Sequence, residues 1–185
     1  MKEIRECYIN FAGEVNQNTV NQLIQTVNER LKQGVNRFTL LIFSSGGYVA
    51  PGIAAYNFLK GIPVEVITHN YGSADSIAVI LFCAGSKRYC MPNSRFLLHG
   101  IGFNVLQGTR FEEKQLDEKI KDLRIDRENI AKIIAENCKK TQKQVEDDLF
   151  EVKVLNPEEA KKYGLVHEIK TQLFPEGADV INILQ

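Results

Sequence analysis

The chain alternates short apolar runs with longer amphipathic stretches, a pattern typical of strands that are followed by helices. The runs with the length and composition of strands are residues 7–11, 37–43, 64–68, 88–91 and 95–99. The stretches that predict helices are residues 18–32, 53–60, 76–84 and 157–162. We expect a turn at residues 71–73, and we expect Gly164 to end the last of these helices in a left-handed conformation. This repeated order of strand and helix predicts a parallel sheet with right-handed crossovers.

A long charged stretch in the second half of the chain predicts a helix over residues 111–137. Its apolar positions form one narrow stripe: Leu116, Ile120, Leu123, Ile130, Ile134 and Cys138. A stripe of this kind packs against one other surface, either its own sheet or a neighbouring subunit. The helix is longer and more charged than a crossover requires, which favours projection into a subunit interface.

Composition excludes several classes of protein. The 185 residues contain 23 Lys and Arg against 23 Asp and Glu, so the formal charge of zero indicates no nucleic-acid arm and no polybasic membrane patch. The apolar runs at 38–43 and 77–84 are far shorter than the roughly 20 residues of a membrane span. No secretory signal is visible at the N-terminus, so we expect a cytoplasmic protein that binds neither nucleic acid nor membrane.

The four cysteines favour the same compartment. They are Cys7, Cys83, Cys90 and Cys138, and no two of them form a C-x-x-C pair. Spacing of this kind predicts buried or half-buried thiols in a reducing cytosol, with neither a disulfide framework nor a metal site. We expect no cofactor.

Two segments that follow predicted strands carry residues suited to acyl chemistry. A Gly-Gly pair at Gly46 and Gly47 lets the backbone approach a ligand and point its N–H groups at an oxyanion, although an ordinary tight turn has the same sequence. Ser76 lies at the start of a predicted buried helix, where it is either a nucleophile or the N-cap. Asp75 is an equally good candidate for the cap.

A histidine at the end of the last predicted strand is the third candidate. His99 is either a structural histidine or a general base, since imidazole titrates near neutral pH. Of the two other histidines, we expect His69 to lie in a polar loop at a strand end and His167 to be exposed.

Four ordered motifs carry a family resemblance: SSGG at 44–47, GSADSIAVILFCAG at 72–85, RYCMPNSRFLLH at 88–99 and EEAKKYGLV at 158–166. Together they resemble the proteolytic subunit of the Clp protease from about residue 11 to residue 169. The resemblance implies an α/β fold of the crotonase-like class, built from repeated β-β-α units in a single domain over residues 1–185. It also implies a handle region at about residues 103–140 that joins two stacked rings of subunits around a chamber.

The resemblance also implies roles for individual residues. Ser76 falls on the family's nucleophile and His99 on its general base. Gly47 and Ile77 fall on the positions whose backbone N–H groups form the oxyanion hole. The implied activity is that of a serine-type endopeptidase, a hydrolase that cleaves peptides or unfolded proteins inside the oligomeric chamber.

The third member of the family's triad is not evident. A gapless count back from Ala160 and Tyr163 places Val152 at the position of the catalytic aspartate. Valine cannot accept the imidazole N–H. The other candidates for this role are Glu151, Asp148 and Asn156. A triad without its carboxylate loses roughly 10⁴-fold in rate, so the enzyme would be slow.

Two alternative functions and the choice of an ATPase partner remain to be considered. The first alternative is a catalytically impaired ring subunit with a structural role, which Val152 favours. The second is a crotonase-type acyl-CoA hydratase or isomerase, although no suitably placed pair of acid/base carboxylates is found. The resemblance implies a longer N-terminal segment, which forms the axial pore loops that grip a Clp-type ATPase. Only about ten residues precede Phe11, so we expect coupling to such an ATPase to be doubtful.

Overall fold

The computed structural model describes residues 3–184 as an eight-stranded sheet with six helices. In chain order the elements are β1 (Glu6–Ala12), α1 (Gln17–Lys32), β2 (Arg37–Ser44), α2 (Val49–Gly61), β3 (Glu65–Asp75), α3 (Ala78–Cys83), β4 (Lys87–Cys90), β5 (Arg95–Leu98), α4 (Glu113–Cys138), α5 (Gln142–Glu151), β6 (Lys153–Leu155), α6 (Pro157–Tyr163), β7 (Glu168–Ile169) and β8 (Val180–Leu184). The predicted alternation of strands and helices, and the α/β class, are therefore confirmed.

The sheet branches at β3. Its main path is β6-β5-β3-β2-β1-β8, and every pairing on it is parallel except that of β5 with β6. The first half of β3 pairs with β4, which in turn pairs with β7. The second half of β3 pairs with β5. The ends of β2, β3 and β5 therefore lie side by side, which is where ligands bind in open α/β sheets.

The extent of β3 differs from the sequence-based prediction, which ended this strand at residue 68 and placed a turn at residues 71–73. The strand continues to Asp75 because a bulge absorbs the polar residues: Ile42 pairs with Asn70, but Ser44 pairs with Ala74. Such bulges bend a strand and redirect the residues that follow it. Here the bulge lies just before the segment that carries Ser76.

The residues of the bulge explain why it was mistaken for a turn. The Asn70 side chain accepts a hydrogen bond from the Gly72 N–H at 3.0 Å and donates one to the Arg95 carbonyl at 2.8 Å. A Cβ at Gly72 would lie 2.9 Å from the ring of Phe43. Glycine is present at this position because an aromatic ring covers it.

Helices α2 and α3 line the core beneath the sheet. All six residues of α3 are buried, as its uniformly apolar sequence predicts, although the helix begins at Ala78 rather than at Ser76. Helix α2 begins four residues earlier than predicted, at Val49. It includes Pro51, which is tolerated in the first turn because N–H groups there have no helical acceptor. The four cysteines are buried, as predicted.

The long helix α4 has two different halves. Ile130, Ile134 and Cys138 are buried in the core, whereas Leu116 and Ile120 remain 40% and 43% exposed. The C-terminal half therefore packs on its own domain, and the N-terminal half carries an apolar stripe that the described chain does not cover. Within residues 3–184, no helix is both long and apolar enough to cross a membrane.

Strand β8 and the short strand β7 were not predicted. Strand β8 extends the sheet at its edge by pairing in parallel with β1. Strand β7 has two residues, too few to show an alternating pattern in the sequence. The helix end at Gly164 was predicted correctly, since this residue has φ +90° and provides the left-handed C-cap of α6.

The environment of His69 also differs from the prediction of a polar loop. The residue lies in β3, is 2% exposed, and its Nε2–H donates to the Lys170 carbonyl at 3.3 Å. Burial lowers the pKa of His69 to about 4, because the charged imidazolium is poorly solvated there. His69 therefore stays neutral at physiological pH. His167 is exposed, as predicted.

The buried His69 predicts how stability depends on pH. Its folded pKa of about 4 lies below the unfolded value of 6.5, so the unfolded chain takes up a proton first. Its contribution is complete above pH 6.5, and up to roughly 3 kcal/mol of unfolding free energy is lost as pH falls towards 4. Urea titrations should show a flatter pH profile for His69→Gln. For the exposed control His167→Gln, the free energy of unfolding should retain more of its dependence on pH. Equal pH profiles for the two variants would contradict the assignment of this dependence to His69.

Candidate active site

Ser76 lies immediately after β3 in a conformation that serine rarely adopts. Its φ is +58°, in the left-handed region, and its N–H donates to the Leu97 carbonyl at 2.8 Å. The N-cap interpretation is wrong, because Ile77 is the N-cap residue of α3 and no side chain caps this helix. A strained backbone of this kind is often found at a functional residue, where neighbouring contacts hold it in place.

The residue that holds Ser76 in place is Gly46, which sequence reasoning had not singled out from its neighbour. Gly46 has φ +101°, and a Cβ there would lie 2.7 Å from the Ser76 Cβ and 2.9 Å from the Asp75 carbonyl oxygen. Its own N–H donates to the Ser44 Oγ at 3.2 Å. Glycine at position 46 is therefore required for close approach to the serine as well as for the turn itself.

Two backbone N–H groups near Ser76 have no acceptor within residues 3–184. They belong to Gly47, which follows the contact glycine, and to Ile77, which follows the serine. The Ile77 side chain packs against α2, since a Cβ at Gly52 would lie only 2.3 Å from its Cγ1. Both amides belong to segments that are fixed by close packing, which suits them to bind an oxyanion.

His99 lies directly after β5, the strand next to the second half of β3. Ser76 and His99 line the same small cavity, of about 10 Å³. The other lining residues are apolar: Ile77, Val79, Leu98, Ile101, Ile130, Ile134 and Leu149. Among the described residues the two polar side chains form no direct hydrogen bond, and such bonds are often long before substrate binds. The fold thus brings together a hydroxyl and an imidazole that are 23 positions apart.

Val152 and His99 adjoin the same end of the β5–β6 pairing. Strands β5 and β6 are antiparallel, with Leu98 opposite Lys153 as the last pair. Val152 directly precedes Lys153, and His99 directly follows Leu98. Val152 has φ +60° and is 55% exposed, and its side chain offers no hydrogen-bond acceptor.

Two of the three alternative partners for His99 are engaged elsewhere. Asp148 forms an ion pair with Lys153 and accepts a hydrogen bond from the Tyr163 hydroxyl at 2.7 Å. Asn156 caps α6 by accepting from the Glu159 N–H at 2.9 Å. The third, Glu151, is the exposed last residue of α5. Within residues 3–184, neither Asp148 nor Asn156 forms a hydrogen bond with His99.

Asp75 does not cap α3 either. Its Oδ2 accepts a hydrogen bond from Arg95 Nη2 at 2.8 Å, and its side chain is only 4% exposed. The ion pair offsets the negative charge that Asp75 brings next to Ser76. No group of three or more His, Cys, Asp or Glu that could hold a metal ion occurs in residues 3–184.

The contact between Gly52 and Ile77 leads to a prediction about stability. Gly52→Ala should lower the free energy of unfolding by about 1–3 kcal/mol, because the added methyl group overlaps Ile77. The matched control is Gly61→Ala at the end of the same helix, where a Cβ would have no neighbour within 4 Å. This control should be neutral or stabilising by up to about 1 kcal/mol. Urea denaturation tests the pair, and equal effects would show that α2 does not constrain Ile77.

Both the sequence and the fold are similar to those of known proteins. The family model for Clp protease matches residues 2–172. Among solved structures, the chain is similar to a point mutant of ClpP1 from Listeria monocytogenes, with 26% sequence identity and a TM-score of 0.79. The alignment covers 89% of this chain and 91% of that one. Because the family model spans most of its length, the chain belongs to the Clp protease family.

Proposed function

We propose that this protein is a serine-type endopeptidase subunit that cleaves peptides or unfolded proteins inside an oligomeric chamber in the cytoplasm. The observation that carries the proposal is the placement of Ser76. Its strained backbone lies against Gly46, and its side chain shares a cavity with His99. Membership of the Clp protease family supports the same activity.

The proposed reaction has two stages. The Ser76 Oγ attacks the scissile carbonyl carbon while His99 takes up the hydroxyl proton, and the N–H groups of Gly47 and Ile77 stabilise the oxyanion. The C–N bond then breaks, His99 gives its proton to the leaving amine, and an acyl-enzyme remains on Ser76. Water, deprotonated by His99, hydrolyses that ester and restores the hydroxyl.

Val152 predicts a slow reaction. Without a carboxylate to orient the imidazole and stabilise its charged form, about 10⁴-fold in rate is lost, equivalent to roughly 5–6 kcal/mol of transition-state stabilisation. The serine, the imidazole and the two amides remain. We therefore expect weak but measurable turnover.

A fluorophosphonate probe tests the proposal without knowledge of the substrate. Labelling of the assembled protein should occur at Ser76, disappear in Ser76→Ala, and slow markedly in His99→Gln. The control Ser86→Ala, an exposed serine just before β4, should label at the wild-type rate. Mass spectrometry of the labelled peptide identifies the site. The proposal is wrong if the intact oligomer is not labelled at Ser76.

The second candidate is a catalytically impaired ring subunit with a structural role. Val152, which the motif count places at the position of the family's catalytic aspartate, favours it. An assembled protein that reacts with no fluorophosphonate and cleaves no peptide would support this alternative.

We also propose that the subunits associate through α4. Members of the family form stacked oligomeric rings. In this chain the apolar stripe on the N-terminal half of α4 is exposed at Leu116 and Ile120, and Leu106 just before the helix is 82% exposed. Exposed apolar side chains grouped in this way are typical of a protein interface.

A charge placed on this stripe should disrupt the assembly. The double variant Ile120→Glu with Leu123→Glu should have a lower molar mass by light scattering, because carboxylates would have to be buried in the interface. Lys121→Glu, an exposed position on the same helix, is the control and should keep the wild-type mass. An unchanged mass for the double variant would exclude this surface as the interface.

A further inference from the structure

A buried carboxylate oxygen next to Ser76 has no hydrogen-bond partner. Asp75 is 3% exposed, and its Oδ2 is bound by Arg95. Its Oδ1 meets no donor among residues 3–184. A buried acceptor left without a donor costs about 1–3 kcal/mol, and more when it is charged. Such an atom is expected to meet a donor when the protein functions.

Asp75 lines a cleft of about 840 Å³ at the ends of β1, β2 and β3. Asp75 and Glu14 are the acidic residues of its lining and Arg95 is the basic one, so the lining carries one excess negative charge. The hydroxyl-bearing residues of the lining are Ser44, Ser45 and Ser73. A ligand that carries a positive charge and several N–H donors matches this lining.

One wall of the cleft is aromatic. Phe43 lines it and is 49% exposed. The face of a phenyl ring attracts a cation, and its apolar surface packs against the aliphatic stem of a lysine or arginine. The combination of an aromatic wall with an unpartnered carboxylate oxygen fits a basic side chain better than a neutral polar one.

We propose that this cleft binds the guanidinium or ammonium group of a basic side chain in a peptide, with Asp75 Oδ1 as the acceptor. The identification of the ligand as a peptide rests on the proposed function. The cleft adjoins the proposed catalytic site, because Gly46 and Gly47 line it and Gly46 lies against Ser76. A peptide held there would be anchored beside the nucleophile.

Arg95 binds the same carboxylate as the proposed ligand. The Oδ1 atom is itself buried, but the Arg95 side chain is 61% exposed and binds Asp75 through one nitrogen. Moving Arg95 away from Asp75 breaks one partly exposed ion pair. Arg95 therefore competes with the ligand for Asp75. Removal of Arg95 should raise the affinity for a basic side chain, whereas a purely structural ion pair predicts no such increase.

The experiment measures binding without catalysis. Hexapeptides of alanine with one central arginine, capped by fluorescein at the N-terminus and by an amide at the C-terminus, are titrated against the assembled Ser76→Ala protein by fluorescence anisotropy. The matched peptide replaces arginine with citrulline, its neutral isostere. We expect the arginine peptide to bind about tenfold more tightly, as for one charge-assisted hydrogen-bonded contact.

Three further variants in the Ser76→Ala background test whether the preference for arginine over citrulline depends on Asp75 and Arg95. Asp75→Asn should reduce the preference to less than about twofold, and Arg95→Gln should increase it by removing the competing cation. Asp117→Asn, an exposed carboxylate on α4, is the control and should leave the preference unchanged. Because Arg95 is mostly exposed, Arg95→Gln decides the question if Asp75→Asn fails to fold.

The proposal is overturned by absent binding of the arginine peptide, by equal binding of both peptides, or by a preference that survives in folded Asp75→Asn. A preference that is unchanged or weaker in Arg95→Gln overturns it as well. Failure of the proposed function looks different: the arginine peptide would bind selectively through Asp75, but the protein with Ser76 intact would neither cleave it nor react with fluorophosphonate.

Discussion

The contact between the backbone of Gly46 and Ser76 is the constraint on which the candidate site depends. A left-handed backbone at a serine costs about 1–2 kcal/mol, so it persists only where its surroundings allow no alternative. Here the turn after β2 packs closely against the serine, and the serine N–H donates a hydrogen bond to the Leu97 carbonyl. The same turn carries Gly47, whose N–H remains free to bind another group. One packing contact thus sets the position of the hydroxyl relative to the proposed oxyanion hole.

The branch in the sheet brings the rest of the site to this contact. The bulge in β3 redirects the strand so that its second half pairs with β5, and β5 ends at His99. The C-terminal half of α4 closes the cavity with Ile130 and Ile134, while its N-terminal half exposes an apolar stripe. Site and proposed interface therefore share one helix. Association of subunits through α4 would hold that helix in place against the site.

Sequence reasoning located most of the elements but not the contacts between them. The spacing and length of the apolar runs predicted the bounds of β1, α1, β2 and α6 to within one or two residues, since each element has a clear apolar pattern and a clear end. The polar bulge in β3 was taken for a turn, because the ring that covers Gly72 belongs to another strand. The roles of Gly46 and Gly52 were missed for the same reason: both depend on a neighbour distant in sequence. The family motifs named Ser76 and His99, and the structure adds the shared cavity and the unpartnered oxygen of Asp75.

The most direct test of the central claim, that Ser76 and His99 act as a nucleophile and base without a third group, is the peptidase turnover of Val152→Asp. Val152 adjoins the last pair of β5 with β6 on the side of His99, so a carboxylate there should orient the imidazole, and we expect turnover to rise by at least about tenfold, a part of the roughly 10⁴-fold that a full triad contributes. Val154→Asp, an exposed position in β6 opposite Leu97, should leave turnover unchanged. A rate for Val152→Asp at or below that of the wild type, in a correctly assembled protein, would contradict the account.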